Sequence, residues 1–215
     1  SSVASLSDYK SDRVTLHSTA KFLQALPLVF AYHPDWIPHP VKSRMADIEL
    51  NPDPSRLPEL TDEERAILCS SHHGNRAQIK LISGILDKLN EVQPGLRGAI
   101  EESFVLTPSW PLGIRAILDM DADVMSDREP KAIYNQCSAN HLALMMASQA
   151  FGWSIQDYAD PESPVQKLIK SSLIYYGGFE GTDELEEVRD NCGIPTWQIP
   201  LRNAALLFAR TATAP

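Results

Sequence analysis

Side chains able to do chemistry come together in the segment from Asn135 to His141. It carries a cysteine, a serine and a histidine, Cys137, Ser138 and His141, between a turn-rich stretch and an apolar run. This pattern predicts that the segment lies where a loop enters a helix. A thiol, a hydroxyl and an imidazole at such a junction can bind a metal ion or take part in acyl transfer.

A second candidate is the Ser-x-x-Lys spacing of Ser18 and Lys21 at the start of a predicted helix. Positions i and i+3 share a helix face, so the amine can reach the hydroxyl. The positive potential of a helix N-terminus favours a neutral lysine, which can act as general base for a serine nucleophile. The spacing alone favours an ordinary capped helix with a solvated lysine, because it recurs from Ser7 to Lys10 without a helix pattern.

Cys137 and Cys192 can supply thiolate ligands to Zn²⁺, although they form no Cys-x-x-Cys knuckle. Taken alone, buried cysteines more often act as small hydrophobic residues. A histidine at the head of an apolar helix, such as His141, is more often an ordinary core residue. The turn from Ser70 to Gly74 can present a hydroxyl and an imidazole to a pocket, but a surface turn is favoured.

Two further patterns are weaker. His33 and His39 lie in a proline-rich stretch and are interpreted as surface residues. The run from Asp119 to Asp123 begins like a calcium-binding loop. Val124 then stands where glycine is needed and Pro130 where a bidentate glutamate is needed, so the run is interpreted as a solvated acidic turn.

The elements that must position these groups are mostly helical. Apolar residues at helical spacing, together with capping residues, predict the helices. Alternation of apolar and polar residues with period 2 is scarce, so few strands are predicted. The best strand candidate is the short apolar run Phe104–Leu106. The first predicted helix spans 18–30, with a kink or end at Pro27, and a capping box at Thr61 opens a short second helix. A third helix contains Ile79 to Leu89 and is ended by the turn 93–95, and a fourth spans 111–118. A buried helix spans 141–151 and ends at Gly152, another runs from a capping box at Ser163 to Gly177, and the last spans 201–211.

Length and composition indicate one globular domain, residues 1–215, with an inserted proline-rich loop at 31–58. The chain is 43% hydrophobic and 22% charged, as packed domains are. Loops as long as 31–58 are usually lids or binding loops.

Charge and cysteine content narrow the environment and the partners. The net charge of -9 and the lack of a basic aromatic patch argue against nucleic acid. No apolar run approaches the roughly 18 residues of a membrane span, and no signal peptide is visible in 1–11. Three widely spaced cysteines favour a reducing, cytoplasmic compartment over a disulfide scaffold.

Six segments, taken in chain order, match the motifs of one family. A single match would carry no weight, whereas six in the same order are specific. They are His17–Pro27 with its Ser-x-x-Lys, Cys69–Gly74 against Ser-His-Ser-Gly, Ser109–Pro111 against His-Trp-Pro, Asn135–His141 against Asn-Cys-Ser-Gly-Lys-His, Pro164–Gln166, and Asp190–Thr196, with Pro200–Arg202 close behind. From Ser11 to Thr213 the chain resembles the thermolabile, Rhizobium-type L-asparaginase II family.

This resemblance implies an α+β fold like that of serine β-lactamases and glutaminases. Family members add strands before the Ser-x-x-Lys helix and a long C-terminal part with more sheet and another catalytic lysine. The expected fold is therefore predominantly helical with a reduced or incomplete sheet. The family hydrolyses L-asparagine to aspartate and ammonia, so the expected partner is a small-molecule amide. The resemblance makes Ser18 the nucleophile, Lys21 its base and Ser71 a second hydroxyl of the pocket. It also implies a homodimer.

The resemblance further implies a zinc ion held by two cysteines and a lysine. The matching positions are Cys137, Cys192 and Asn140, and an amide in place of the lysine is expected to weaken zinc binding. His141 and Asp190 match pocket residues beside that metal, and His17 and His73 stand at altered positions of the same pocket. All four are therefore candidate substrate-binding residues.

The departures from the family cluster at polar positions. They are His17 for arginine, His73 for serine, Asn75 for glutamate, Ser109 and Ser163 for histidine, and Asn140 for lysine. Two hypotheses follow. The first is an asparaginase-like amide hydrolase or acyl-transfer enzyme that uses Ser18 and Lys21. The second is a repurposed member that performs a non-hydrolytic step on a specialised metabolite, or an inactive binding protein.

Overall fold

The computed structural model describes residues 12–110 and 129–214. Its strands are β1 (Arg13–Thr15), β2 (Glu186–Arg189) and β3 (Pro195–Pro200). Its helices are α1 (Lys21–Gln24), α2 (Leu26–Tyr32), α3 (His39–Arg44), α4 (Asp62–Leu68), α5 (Arg76–Val92), α6 (Leu96–Ser103), α7 (Ser138–Phe151), α8 (Pro164–Gly177) and α9 (Leu201–Ala212). The predicted α+β, mainly helical fold with a small sheet is confirmed. No helix in these ranges has the length and apolar character that a membrane crossing requires.

Helix α7 is the centre of the core. Nearly every one of its residues is buried, as its continuous apolar sequence predicts. It ends at Gly152, which adopts the left-handed conformation of a helix C-cap. Helices α1, α2, α4 and α8 pack around it. Because α7 is enclosed, polar groups on its first turn lie inside the molecule.

The sheet is antiparallel in the order β1-β3-β2. In the central strand β3, Thr196, Trp197 and Ile199 are buried. Val14 of β1 pairs with Ile199, and Val188 of β2 pairs with Thr196. The sequence reading missed all three strands, because β2 is largely charged and β3 carries a proline at each end. The predicted strand at Phe104–Leu106 is wrong: it follows the end of α6 as irregular chain.

Most of the predicted helices and their caps are confirmed. Thr61 and Glu64 form the expected reciprocal capping box of α4. At α8 the Ser163 hydroxyl accepts a hydrogen bond from the Gln166 amide, but the Gln166 side chain donates to the Tyr158 carbonyl, so the predicted box is only half formed. The first predicted helix is divided, and Pro27 lies in the first turn of α2. The predicted helix at 111–118 and the acidic turn at 119–123 lie outside the described residues.

The proline-rich segment from Ala31 to Pro58 is more ordered than the predicted loop. Its first two residues belong to α2, and it contains α3 and the 3-10 turns Pro34–Trp36 and Pro54–Arg56. Five of its apolar side chains are buried in the main core: Ala31, Ile37, Val41, Met45 and Leu57. The segment is therefore part of the packed body.

Gly178, after α8, is a position where only glycine fits. Its φ is +68°, and an added Cβ would lie 2.6 Å from a Leu206 methyl group. We expect Gly178→Ala to lower the free energy of unfolding by roughly 1–3 kcal/mol. The matched control is Gly98→Ala in α6, where nothing lies within 4 Å of the added carbon. The free energy of unfolding of Gly98→Ala should rise by about 0.5–1 kcal/mol. Urea titrations of both variants would measure the two changes. Equal behaviour of the two variants would contradict this account.

Candidate functional site

The candidate site is built around the buried amine of Lys21. The strand β1 leads through the 3-10 turn His17–Ala20 directly into α1, which begins at Lys21. The lysine is only 4% exposed, and its Nζ has no hydrogen-bond partner within the described residues. A buried charge without compensation costs several kcal/mol, so the surroundings of Nζ decide what this lysine does.

Among those surroundings is the thiol of Cys137, whose sulfur interacts with the Lys21 charge. This residue occupies the N-cap of α7, and its backbone N–H donates to the Asn135 side chain at 3.0 Å. Sharing of the Cys192 S–H proton lowers the pKa of Cys137, and the nearby Lys21 charge lowers it further, against the opposing effects of burial and of Asp190. Nζ acts on Sγ chiefly through its charge and adds a weaker side-chain interaction, which does not meet the geometry of a hydrogen bond.

Cys192 reaches this place through the turn between β2 and β3. The turn is closed by hydrogen bonds from Asp190 N–H to the Ile194 carbonyl and from Gly193 N–H to the Asp190 carbonyl. The hydrogen-bond interaction between the two thiols raises the pKa of Cys192, and burial of the Cys192 thiol raises it further. The interaction between the two thiols therefore favours the thiolate form at Cys137 and the protonated form at Cys192.

Asp190 connects the thiol pair to the turn that carries Ser18. Its Oδ1 lies 3.3 Å from His17 Nδ1, and the two side chains are 15% and 58% exposed. His17 has a φ of +42°, a region that non-glycine residues seldom adopt. Such backbone strain, on the order of 1–3 kcal/mol, is concentrated at functional sites. Here it sits immediately before Ser18, whose side chain is exposed.

His72 is a second buried polar group beside Lys21. Its Nδ1 accepts the Gly74 N–H at 3.1 Å, so Nε2 carries the hydrogen and donates to Ser138 Oγ at 2.9 Å. Ser138 in turn donates to the Ile133 carbonyl. Burial, reinforced by the charge of Lys21, lowers the pKa of His72 to about 4. His72 is therefore neutral at physiological pH.

His141 is a third such group, fully buried on the first turn of α7. The Tyr158 hydroxyl accepts the Val105 N–H and lies 2.7 Å from His141 Nδ1, and we assign the hydroxyl hydrogen to this second bond. Nε2 then carries a hydrogen for which the described residues provide no acceptor. Burial first, then the charge of Lys21, lowers the pKa of His141 to about 3. The site therefore holds an N–H of His141 and an amine of Lys21 that have no hydrogen-bond acceptor within the described residues.

Asn140 ties the site to the core. Its Nδ2 donates to the carbonyls of Lys21 and Leu68, each at 3.3 Å, and so links α1 to α4. Its Oδ1 is buried, with no partner in the described ranges. The amide therefore fixes the backbone at the residue that carries the buried amine.

The comparisons with known proteins give this arrangement a family. The family model of L-asparaginase II matches residues 54–215. The chain belongs to the L-asparaginase II family. Its class is thus that of an asparaginase-like hydrolase. No curated protein matches the chain. Ser18 and Lys21 lie before the matched range, whereas Cys137, Asp190 and Cys192 lie within it.

For an L-asparaginase II member, the donor atoms present do not complete a zinc site of four ligands. Cys137 and Cys192 offer two sulfurs, and Asn140 offers only an amide oxygen, a poor zinc ligand. The Lys21 ammonium beside Cys137 opposes a further cation. Within 12–110 and 129–214, no three His, Cys, Asp or Glu side chains are grouped to hold a metal. Zinc stays a prediction, and no step below is routed through it.

The structure brings together five of the candidate residues of this L-asparaginase II member and leaves others apart. Lys21, Cys137, Cys192, His141 and Asp190 interact, and His17 joins them through Asp190. Asn140 adjoins them through its bond to the Lys21 carbonyl. Three candidates are exposed and make no side-chain contact with this group: Ser18, Ser71 and His73.

Sequence reasoning missed two buried members of this site, His72 and Tyr158. It selected His73, which is exposed and whose N–H donates to Gln78 at the start of α5. One signal was present: in the comparison with Ser-His-Ser-Gly, His72 occupies the histidine position of the motif. Tyr158 had no such signal, because it follows α7 in an irregular segment.

The lowered pKa of His72 predicts acid sensitivity of the fold. Between its ordinary value of 6.5 and about 4, the unfolded chain binds more protons than the folded one. Stability is therefore full above this window and falls as the pH drops through it, by roughly 3 kcal/mol for His72 alone. His72→Gln keeps a donor toward Ser138 and should flatten the pH dependence of urea unfolding. The exposed control His39→Gln should leave it unchanged, and an unaltered slope in His72→Gln would contradict the assignment.

Proposed function

We propose that this chain hydrolyses a small-molecule amide by acyl transfer through Ser18, with Lys21 receiving the serine proton. One observation carries the proposal: a buried ammonium without a hydrogen-bond partner among the described residues lies three positions after an exposed serine. A role in packing alone does not account for it, because a hydrophobic side chain would fill the space without the desolvation penalty.

The ion pair of Lys21 and Cys137 supplies a route to a neutral base. A proton passed from Nζ to the Cys137 thiolate leaves both groups uncharged. The amine then accepts the Ser18 proton as Oγ attacks the carbonyl carbon of the substrate amide. The C–N bond breaks, the departing nitrogen takes that proton and leaves as ammonia, and water hydrolyses the acyl ester. The Ser18–Lys21 hydrogen bond would form on substrate binding, as catalytic contacts often do.

The second part of the proposal concerns substrate binding. The unpaired Nε2–H of His141 is suited to an oxygen acceptor, such as a carboxylate or a developing oxyanion. Asp190, partly exposed beside His17, supplies negative charge for a substrate ammonium group. A small amino-acid amide carries all of these complementary groups. Asparagine is therefore the first substrate to test.

The test is ammonia release over a panel of amides, with metal analysis of the same protein sample. The panel contains asparagine, glutamine, and asparagine analogues that lack either the α-carboxylate or the α-amino group. We expect turnover of at least one amide and a loss of rate when either group is absent. Absence of ammonia release from the whole panel would exclude the hydrolase proposal.

One structural feature favours the alternative of a repurposed or binding protein. Where the family has a lysine, Asn140 binds two backbone carbonyls and serves as an internal link. The family match also begins after Ser18 and Lys21. A protein of this kind would bind amides without releasing ammonia, so calorimetric binding without turnover would favour it.

Asn140→Lys separates the two functions. If the chain is a hydrolase with a weakened metal site, the added lysine should raise zinc content and ammonia release together. If it is a repurposed protein, the substitution should raise zinc content at most. Asn90→Lys on α5, whose side chain lies at the protein surface, is the matched control for the added charge. A rise in both quantities in the control would void the comparison.

A further inference from the structure

Tyr158 connects His141 to distant parts of the chain. The residue is fully buried in the irregular segment between α7 and α8. Its hydroxyl accepts the Val105 N–H at 3.1 Å and lies 2.7 Å from His141 Nδ1. Its backbone carbonyl accepts a hydrogen bond from Gln166 Nε2 at 2.7 Å. Because the hydroxyl end and the backbone end are both held, the tyrosine meets His141 in a defined geometry.

This contact decides which ring nitrogen of His141 carries the hydrogen. A tyrosine hydroxyl has one hydrogen to donate, and the bond from the Val105 N–H occupies one of its acceptor positions. With Nδ1 bare, the hydroxyl hydrogen has an acceptor. With a hydrogen on Nδ1, the hydroxyl would be left with a buried hydrogen and no acceptor among the described residues, which folded proteins avoid. The contact therefore favours the tautomer with its hydrogen on Nε2.

His72 shows how a buried histidine of this protein looks when its ring is fully used. Its Nδ1 accepts the Gly74 N–H at 3.1 Å, and its Nε2 lies 2.9 Å from Ser138 Oγ. Both of its nitrogens are thus paired inside the protein. The path from Tyr158 through His141 instead ends at Nε2, which is buried and has no partner within the described residues. That end of the path is available to a ligand.

Gln166 holds Tyr158 from the opposite side, and this contact gives the Pro164–Gln166 motif a role. A complete capping box would turn the Gln166 side chain back to the Ser163 N–H. The side chain, which is 2% exposed, donates to the Tyr158 carbonyl instead. The start of α8 is thereby tied to the segment that precedes it. This bond anchors the backbone of the residue whose hydroxyl contacts His141.

We propose that Tyr158 is a positioning residue that sets the tautomer and ring orientation of His141, with Gln166 as its anchor. The inference rests on the proposed function, in which the Nε2–H of His141 binds an oxygen of the substrate. Tyr158 touches no substrate and acts only through the imidazole. Because the hydroxyl fixes the ring before a ligand arrives, the Nε2–H is directed in advance, as preorganised donors in active sites are.

The experiment is NMR of the full chain labelled with ¹⁵N in histidine, without substrate. The ring signals of His141 are identified by their loss in His141→Gln. In the original chain, we expect a hydrogen on Nε2 and a bare Nδ1 that accepts a hydrogen bond. In Tyr158→Phe, the Nδ1 signal should move to the position of an unbonded ring nitrogen, while the His72 signals stay in place. Gln166→Met, which lacks the amide donor, should move it in the same direction by a smaller amount.

Tyr176→Phe is the matched control. Tyr176 is another buried tyrosine, and its hydroxyl makes no hydrogen bond within the described residues. Its loss should leave the His141 signals unchanged. For the best amide of the panel, kcat/KM should fall by up to about 100-fold in Tyr158→Phe, because a misplaced binding group can cost that much. It should stay within about two-fold of the original in Tyr176→Phe.

A hydrogen on Nδ1 of His141 in the original chain would overturn the proposal, since Tyr158 would then be only an acceptor. This measurement needs no variant and no turnover. Unchanged ring signals in Tyr158→Phe would also overturn it, and unchanged signals in Gln166→Met would remove the anchor. Shifted signals with full turnover in Tyr158→Phe would exclude a positioning role in the reaction. If no amide is turned over but the ring signals are as expected, the hydrolase proposal fails and the tautomer assignment stands.

Discussion

Ser18→Ala is expected to lower ammonia release from the best amide of the panel by about 10⁴-fold or more, with little change in stability. Removal of the nucleophile in serine hydrolases has effects of this size, because the remaining groups act only through it. Ser18 is exposed and makes no side-chain bond with the other described residues, so alanine removes no contact that the fold uses. Initial rates and urea unfolding of the same preparation would measure both quantities.

Ser43→Ala is the matched control for this substitution. Ser43 is an exposed serine on α3 whose hydroxyl donates to the His39 carbonyl. Its loss should leave turnover within about two-fold of the original, since surface substitutions seldom change stability by more than about 0.5 kcal/mol. If Ser18→Ala retained the rate of this control, Ser18 would not be the nucleophile. The hydrolase would then need another attacking group, and the Cys137 thiolate would be the next to test.

The helices of this protein were predictable because their signals are local. Thr61 caps α4 through a residue three positions later, and Gly152 ends α7 by its own backbone conformation. Apolar residues at helical spacing predicted α5, and the continuous apolar run of α7 predicted that this helix is buried. Each of these signals is contained in fewer than about twenty consecutive residues, which is the range that such reasoning covers.

The sheet and the interior of the site were not predictable in this way. The strand β3 becomes a strand because β1 and β2, which lie far from each other in the chain, pair with its two edges. Asn140 matched a metal position, yet its amide binds the carbonyls of Lys21 and Leu68. Such bonds depend on tertiary packing, and motif comparison carries no information about backbone acceptors.

The adjacent pair His72 and His73 illustrates the same limit. His72 matches the histidine of Ser-His-Ser-Gly, but only the turn, which places it between Gly74 and Ser138, shows that it takes the buried role. By contrast, the resemblance assigned Cys137 and Cys192 to one metal site, and the structure lets the two thiols interact across a long sequence separation, while zinc there stays a prediction. Family motifs thus indicate which distant residues share a site, whereas the structure is needed to show which of their atoms are buried, charged or hydrogen-bonded.

Lys21→Met is the substitution expected to separate the charge of this site from its packing. Methionine has a similar length and carries no charge, and the Nζ atom that it replaces makes no hydrogen bond within the described residues. The free energy of unfolding should therefore change little, because a buried charge is replaced by an apolar group and the Cys137 thiol, which loses the attraction of Lys21, can keep its proton. Ammonia release should fall by about 10³-fold or more, since general-base assistance is typically worth 10²–10⁴-fold and the site also loses its ion pair.

The same variant should change the chemistry of Cys137. The Lys21 charge is one of the causes that lower the pKa of this thiol, so its removal should raise that pKa. The rate of alkylation by iodoacetamide, measured against pH in a Cys69→Ser background, should move to higher pH. Lys42→Met on α3, an exposed lysine, should leave the profile and the turnover unchanged. A stable Lys21→Met protein with full turnover would remove Lys21 from the reaction. An unshifted profile would show instead that the interaction with Cys192 alone lowers the pKa of Cys137.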